Sequence, residues 1–438
     1  MEQKTNLLSL SPQDFIVFLK KENIKRFHFV YDDKKQKMIA SHIQLQPIAD
    51  FISNDKRDFM MHEGAFFQIT NEHDVLQGAF VHRTNRGQAA GGVRYWQYET
   101  LEDYLRDGLR LAKGMTRKNA LAGLWWGGGK GVMAANPNAD KSDPKIREAV
   151  YKEYGELMSA LKGCYVTAED VGTNVLDMAN IFSKTRFTTC ITETLGGSGN
   201  PSVPTARGVV AGMEAAIGFL GEGDLEGKTV AIQGMGNVAE PLIKFLFDKK
   251  VKKIIAADIF PKVVESIALK YSHKNLEANV VGKNSTWIFE QLCDVLSPCA
   301  TGAILNPNTI PLIKAKVICG AANNQLEDSR RDGLAIFNKG IVYVPDFLTN
   351  RMGIVNCANE DAGYVNNDPM FEQHLQRDWE FSIFKMTQKV LQKSISSAIP
   401  AADVALEMAD KLSLENNPIF GHRGKLIIQS LIENKWFE

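Results

Sequence analysis

Two α/β units, each built on its own sheet, with helices closing the C-terminal end, are what this 438-residue sequence predicts. Three observations carry the prediction. After about residue 200, short continuous apolar runs alternate with amphipathic helical segments, the pattern of parallel strands covered on both faces. Before residue 100, partly alternating strand segments are mixed with helix. The length exceeds the roughly 100–200 residues that one core serves, so two to three domains are expected. Hydrophobic residues are 44% and charged residues 23%, ordinary globular usage that excludes disorder as the main state.

Ser11-Pro12-Gln13-Asp14 is a helix entry, with Ser11 as N-cap, Pro12 at the first helical position and an acid at the third. Phe15, Phe18 and Leu19 share one side of the helix that follows to Lys21. Residues 26–31 alternate in part and read as a strand, as do 38–43, 65–69 and 78–82. Thr100 caps a helix over 100–117, and a second helix covers about 143–161. Between them Gly127-Gly128-Gly129-Lys130 is excluded from helix, because each glycine there costs about 1 kcal/mol. Residues 230–232, 253–258, 295–296, 317–319 and 341–344 are buried-strand runs, with helices to about 248 and over 261–271. Residues 370–438 read as helices.

Lys plus Arg number 51 and Asp plus Glu number 51, so the formal net charge is zero. No basic excess supports general nucleic-acid affinity, although net charge is silent about local patches. The six cysteines form no CxxC pair and have no accompanying histidine spacing, so neither a zinc site nor a disulfide framework is expected. Small buried thiols in a reducing compartment are the expectation. The first residues, Met-Glu-Gln-Lys-Thr, lack a basic region followed by an apolar run, and no stretch approaches the roughly 18 apolar residues of a spanning helix. A cytoplasmic protein with no membrane partner is therefore expected.

Gly234-x-Gly236-x-x-Ala239 follows an expected strand and opens an expected helix, the context of a dinucleotide fingerprint. Gly234 permits the tight turn, Gly236 lets backbone approach a pyrophosphate, and Ala239 allows close helix–strand packing. The helix N-terminus, with Asn237 and Val238, presents unpaired N–H groups to the phosphates. Asp258 ends the next strand, twenty-four residues after Gly234. A carboxylate there accepts from ribose hydroxyls and repels a 2′-phosphate, which favours NAD over NADP. The alternative is a purely structural glycine turn.

Lys130 is not a P-loop lysine: Leu124 stands where the first glycine is required and Gly131 where Ser or Thr is required. What remains is a lysine on a backbone without side chains, open to a small substrate, with Trp125 and Trp126 as aromatic walls that would lower its pKa. The alternative is a surface lysine in a flexible loop. Lys118 by itself reads first as a solvated helix-end lysine, and Asp170 as a helix N-cap, with proton transfer beside a lysine as the alternative.

Together these segments resemble the glutamate/leucine/phenylalanine/valine dehydrogenase family, with leucine dehydrogenases the nearest in pattern. The resemblance runs from about residue 87 to 360 and is carried by Gly91-Gly92-Val93-Arg94, Gly114-Met115-Thr116, Asn119-Ala120, the triglycine and Lys130, Ala168 to Gly172, Ser198-Gly199-Asn200-Pro201, Thr205-Ala206, the Gly234 to Ala239 turn, Pro298-Cys299-Ala300 and Asn323-Asn324-Gln325-Leu326. It implies an N-terminal substrate and oligomerisation domain over 1–197, completed by 370–438, and a Rossmann NAD-binding domain over 198–369, with a cleft between them. The implied reaction is reversible oxidative deamination of an L-amino acid to a 2-oxo acid and ammonium. By residue, the resemblance implies Lys130 as catalytic lysine, Asp170 as proton shuttle and Lys118 as partner of the substrate carboxylate. It places Gly92, Met115, Ile354 and Cys357 around the substrate. Around NAD it places Thr205, Gly234, Gly236, Asn237, Val238, Asp258, Ile259, Ala300 and Asn324. No metal is implied, and a homo-oligomer is.

The glutamate members place a lysine at the position of Ala90 and a serine at that of Cys357, so a buried γ-carboxylate would lack its charge partner here. An apolar side chain is expected, branched-chain before aromatic. A catalytically silent dinucleotide-binding homologue is the alternative from another class. Asn350-Arg351-Met352-Gly353 departs from the family's Asn-Ala-Gly-Gly turn and places two bulky residues beside the expected pocket.

Overall fold

The computed structural model describes residues 6–363 and 365–438; the expectation for the first five residues lies outside them. The first part of the chain forms α1 (Pro12–Lys21), β1 (Arg26–Asp32), β2 (Lys37–Ala40), α2 (Gln46–Asn54), β3 (Gly64–Ile69), β4 (Leu76–Arg83), β5 (Ala89–Ala90), β6 (Val93–Trp96), α3 (Leu101–Leu121), β7 (Gly127–Ala134), α4 (Pro144–Ala160), β8 (Tyr165–Val166) and α5 (Val175–Phe182). Its eight strands make one mixed sheet in the order β2-β1-β3-β4-β7-β5-β8, with β6 also paired to β7. Period-two alternation sorts neighbours to opposite faces. Phe67, Phe80 and Val132 face a core with α1, α2 and α3, whereas Phe66, Val81 and Met133 face one with α4.

The second part forms α6 (Ser202–Phe219), β9 (Thr229–Gln233), α7 (Ala239–Asp248), β10 (Lys253–Asp258), α8 (Pro261–Lys270), β11 (Leu276–Val280), β12 (Val295–Pro298), β13 (Val317–Ile318), α9 (Ser329–Asn338), β14 (Val342–Tyr343), α10 (Asp346–Thr349), α11 (Met352–Asp361), α12 (Pro369–Glu372), α13 (Ile383–Ser397), α14 (Ala401–Leu412) and α15 (Arg423–Glu433). Its six strands are all parallel, in the order β11-β10-β9-β12-β13-β14. The order reverses between β9 and β12, and a doubly wound sheet binds its ligand at the carboxyl ends of the strands there.

The last helices divide between the two cores. Helix α13 packs along α6, α14 lies against α3 and α9, and α15 sends Ile428 and Leu431 into the α4-side core of the first sheet. Helix α11 straddles both: Met352 and Val355 join the second core, Ile354 and Cys357 the first. Among the described residues no helix is long and apolar enough to cross a membrane.

The strand expected over 38–43 stops at Ala40, because the backbone N–H of Ala40 bonds the Gln46 side chain and Pro47 opens α2. Several elements were not expected from the sequence, α2, α9 and α11 among them, and for three others the reason is physical. Helix α6 is buried on nearly every side and so lacks an amphipathic period. Strand β11 is only partly buried and carries Glu277 and Asn279 instead of an apolar run. Helix α5 is a short, strongly apolar segment, started by a capping box of Asn174 and Asp177.

Candidate active site

Lys130 is not in a loop. It lies in β7, opposite Phe80 of β4, and is 4% exposed. The glycines before it serve packing, not an open approach for substrate. A Cβ at Gly127 would lie 2.1 Å from the carbonyl oxygen of Arg83, at Gly128 2.0 Å from Thr116 Oγ1, and at Gly129 2.6 Å from the Tyr165 ring. The triglycine lets β7 press against β4, α3 and β8 at once. The expected aromatic wall is elsewhere too: Trp125, 45% exposed, stacks on Arg86 with its guanidinium 4.1 Å from the ring centre. Trp126 packs in the first unit's core.

Lys130 Nζ lies 2.8 Å from Asp170 Oδ2. Asp170 follows β8 and is no helix cap, since Asn174 caps α5. Its Oδ2 also accepts from Arg94 Nε at 3.2 Å. Arg94 in turn grips both oxygens of Asp107, at 3.2 and 2.9 Å, and Asp107 also accepts from Tyr98 Oη at 2.8 Å. Burial lowers the Lys130 ammonium, with Asp170 opposing and Arg94 adding. Burial would raise Asp170, but Lys130 and Arg94 outweigh it and hold the carboxyl at about 2. The resting pair is therefore an ion pair in which Lys130 is easier to deprotonate than a solvated lysine.

Lys118 stands in the last turn of α3 and reaches the second unit, where its Nζ donates to Asn323 Oδ1 at 3.4 Å. The same oxygen accepts from Asn350 Nδ2 at 2.8 Å. Burial lowers Lys118 to about 8, Asp346 opposing and Lys130 adding. Lys118 is thus no solvated helix-end lysine. Asp346 accepts the backbone N–H of Asn324, a left-handed residue with φ of 52°. Burial raises Asp346, with Lys118 pulling against it.

Gly92 leaves no room for a side chain: a Cβ would lie 2.8 Å from Asp170 Cβ. Met115 Cγ fills the same relation to Gly91, also at 2.8 Å. Ile354 and Cys357, one turn apart on α11, are buried in an apolar cluster with Ala90 and Ala168. Arg351 and Met352 do not enter it. Arg351, fully buried, donates to the carbonyl oxygens of Leu121, at 2.5 Å, and Phe381. Met352 belongs to the second core.

The second sheet offers a crevice at its reversal. Gly234 follows β9 with φ of 88°, and a Cβ there would lie 2.7 Å from Ala300 Cβ, just beyond β12. Around Gly236 nothing lies within 4 Å of a built Cβ. Helix α7 opens after Asn237 and Val238 with no side-chain cap; Glu240 N already bonds Gly236 O at 3.1 Å and Pro241 has no N–H, so the backbone before Glu240 is what faces an anion. Asp258 Oδ2 accepts from Met235 N at 2.7 Å and Oδ1 from Phe260 N at 2.9 Å, so the acid braces the glycine turn and each oxygen keeps a lone pair. Ile259 is exposed beside it. Thr205, in the first turn of α6, donates to Pro201 O at 2.8 Å and faces Gly353. An open glycine, uncapped N–H groups and a neighbouring carboxylate fit a dinucleotide.

Sequence reasoning missed Arg94 as a site residue, although it closes the Gly91-Gly92 motif. It also missed Asp107, Asp346 and Glu169. Burial raises Glu169 to about 7, with Asp177 and Asp170 adding, and its Oε2 makes no hydrogen bond. Only the Glu169–Asp170 adjacency was visible along the chain; Arg94 arrives on β6, Asp107 on α3 and Asp346 at the start of α10, so they meet through tertiary packing.

Residues 66–187 match the family described as Glu/Leu/Phe/Val dehydrogenase, dimerisation domain, and residues 196–410 match Glutamate/Leucine/Phenylalanine/Valine dehydrogenase. The leucine dehydrogenase of Geobacillus stearothermophilus is 45% identical over 285 residues, 65% of this chain and 74% of that protein. That of Bacillus cereus is 42% identical over 340 residues, 77% of this chain and 87% of its own. The crystal structure of L-tryptophan dehydrogenase from Nostoc punctiforme superposes with a TM-score of 0.66 at 30% identity, covering 80% of this chain and 96% of that one.

Proposed function

The chain belongs to the glutamate/leucine/phenylalanine/valine dehydrogenase family and is an amino acid dehydrogenase that uses a nicotinamide cofactor, and on that premise we propose that it oxidatively deaminates an apolar, branched-chain L-amino acid with NAD. The balanced reaction is L-amino acid, NAD+ and water to 2-oxo acid, ammonium, NADH and a proton. One observation carries the reading: a buried lysine–carboxylate pair, Lys130 and Asp170, lies in the first unit beside Lys118, which reaches the second.

The proposed roles follow from the charges. Lys118 holds the substrate α-carboxylate. Asp170, an ionised acceptor, takes a proton from the substrate ammonium group. When bound, the nicotinamide dinucleotide supplies the acceptor for the hydride leaving Cα. Lys130 in its neutral form, which burial makes easier to reach, takes a proton from the water that attacks the substrate iminium carbon; Asp170 returns its proton to the nitrogen, the C–N bond breaks as the hydroxyl proton leaves with the nitrogen as ammonium, and Lys130 releases its proton to solvent. Arg94 keeps Asp170 ionised and oriented.

Gly234, Gly236, Asn237 and Val238 would cradle the pyrophosphate. Asp258 would accept from the adenosine ribose hydroxyls and disfavour a 2′-phosphate, which supports NAD. Ile259 and Ala300 would flank the dinucleotide, and Thr205 and Asn324 its nicotinamide end. Gly92 and Met115 would line the substrate, with Ile354 and Cys357 around its side chain. Ala90 and Cys357, both buried in one apolar cluster, stand where a lysine and a serine would serve a γ-carboxylate, which argues against glutamate.

The same reading takes residues 1–197 as the substrate unit and 198–369 as the cofactor unit. The packing of α15 on the first sheet supports its completion by the C-terminal segment. Six free cysteines support a reducing, cytoplasmic setting, and the match to a dimerisation domain supports a homo-oligomer. A panel of L-amino acids followed by NADH absorbance, once with NAD and once with NADP, tests the proposal. Turnover of branched-chain substrates with NAD is expected. No turnover with any L-amino acid, with NAD still bound, overturns it.

A further inference from the structure

We propose that Cys190 is a specificity-setting positioning residue, which backs Cys357 from outside the side-chain pocket and limits how deep a substrate side chain reaches. This rests on the reading of Cys357 as pocket wall.

The geometry begins with the two sulfurs. Cys190 Sγ lies 3.3 Å from Cys357 Sγ, unbonded and in close contact. The residues are 1% and 3% exposed, and both belong to the apolar cluster of Ala90, Ala168 and Ile354. The hydrogen bond to Cys357 and burial both push the Cys190 thiol up, so Cys190 is neutral filling.

Cys190 also sits where glycine would be at ease. Its φ is 61°, in the left-handed region that L side chains rarely adopt. A strained residue persists only where its surroundings hold it. Glu360, three residues beyond Cys357 on α11, supplies that hold. Its Oε2 accepts from Cys190 N at 3.0 Å, Ser198 N at 2.9 Å and Ser198 Oγ at 2.5 Å, and its Oε1 from Ile191 N at 3.2 Å. The helix that presents Cys357 therefore also clamps the loop that presents Cys190. That clamp sets the register of the two sulfurs. With Cys357 as pocket wall, Cys190 makes that wall two thiols thick, which suits a compact branched side chain and opposes an aromatic ring.

The test measures kcat/KM for L-leucine and L-phenylalanine in the full-length protein, in Cys190→Gly, in Cys357→Ala and in the double variant. Glycine relieves the left-handed backbone, so Cys190→Gly keeps the fold. The phenylalanine-to-leucine ratio is expected to rise tenfold or more in Cys190→Gly, in line with about 10–200-fold discrimination per methylene in an apolar pocket. The rise is expected to be at least threefold smaller in the Cys357→Ala background, where the backed sulfur is gone. Should Cys190→Gly not fold, the ratio in Cys190→Ala decides by the same criterion. An active parent whose ratio rises less than tenfold on losing the Cys190 thiol overturns this proposal alone. A parent inactive on every L-amino acid overturns the functional reading and this one with it.

Discussion

Lys118 at the end of α3 bonds Asn323 of the loop after β13 at 3.4 Å, so one lysine joins the two units at the mouth of the site. Lys130 sits deeper, on the central strand β7. In the proposed reading the base is held by the first sheet and the carboxylate clamp is shared between the sheets.

Lys130→Ala is expected to lower kcat by about 10²–10⁴-fold, the range of general acid–base catalysis. NAD binding, followed by fluorescence titration, is expected to stay within threefold, because the glycine turn of β9 lies in the other unit.

The pH dependence should show two opposing lysines. Burial lowers Lys118 to about 8, so in its proposed role it would lose its grip on a carboxylate as pH rises through that value. KM for the amino acid is expected to climb above that pH. Lys130 works as a base in its neutral form, so kcat is expected to rise with pH. Lys118→Arg, which stays charged, is expected to abolish the alkaline rise in KM while raising KM at neutral pH, because a guanidinium does not reproduce ammonium geometry.

Two glycines should separate folding from cofactor binding. Gly128→Ala places a Cβ 2.1 Å from Thr116 backbone nitrogen and is expected to prevent a cooperative thermal transition. Gly236→Ala meets nothing within 4 Å and is expected to keep the parent melting temperature while raising KM for NAD at least tenfold.

Asp258→Ser removes the carboxylate and the acceptor of Met235 N–H. We expect KM for NAD to rise about tenfold and the NAD-to-NADP preference to fall by a similar factor, measured with the preferred amino acid. A preference unchanged by the substitution would remove Asp258 from cofactor selection.

Arg351→Ala should test stability apart from specificity. The change leaves the Leu121 and Phe381 carbonyls without their donor and opens a void in the core. A loss of about 2–5 kcal/mol in denaturant unfolding is expected, with the order of preferred amino acids unchanged.

Local chemistry was legible from the residues alone. The Ser11 and Thr100 caps, the apolar runs of β9 and β10 and the glycine turn at Gly234 are written in neighbouring residues, because caps, periods and turns act over a few positions. The family motifs made Lys118, Lys130 and Asp170 visible as candidates for the same reason. Tertiary structure decided what those residues meet. Lys130 is desolvated by its place in a central strand and not by Trp125. Gly127, Gly128 and Gly129 are small because Arg83, Thr116 and Tyr165 crowd them. Arg351 leaves the pocket for the carbonyls of two distant segments, and Cys190 finds Cys357 from 167 residues away. Contacts of that kind depend on strand order and helix packing, and no short stretch of chain encodes them.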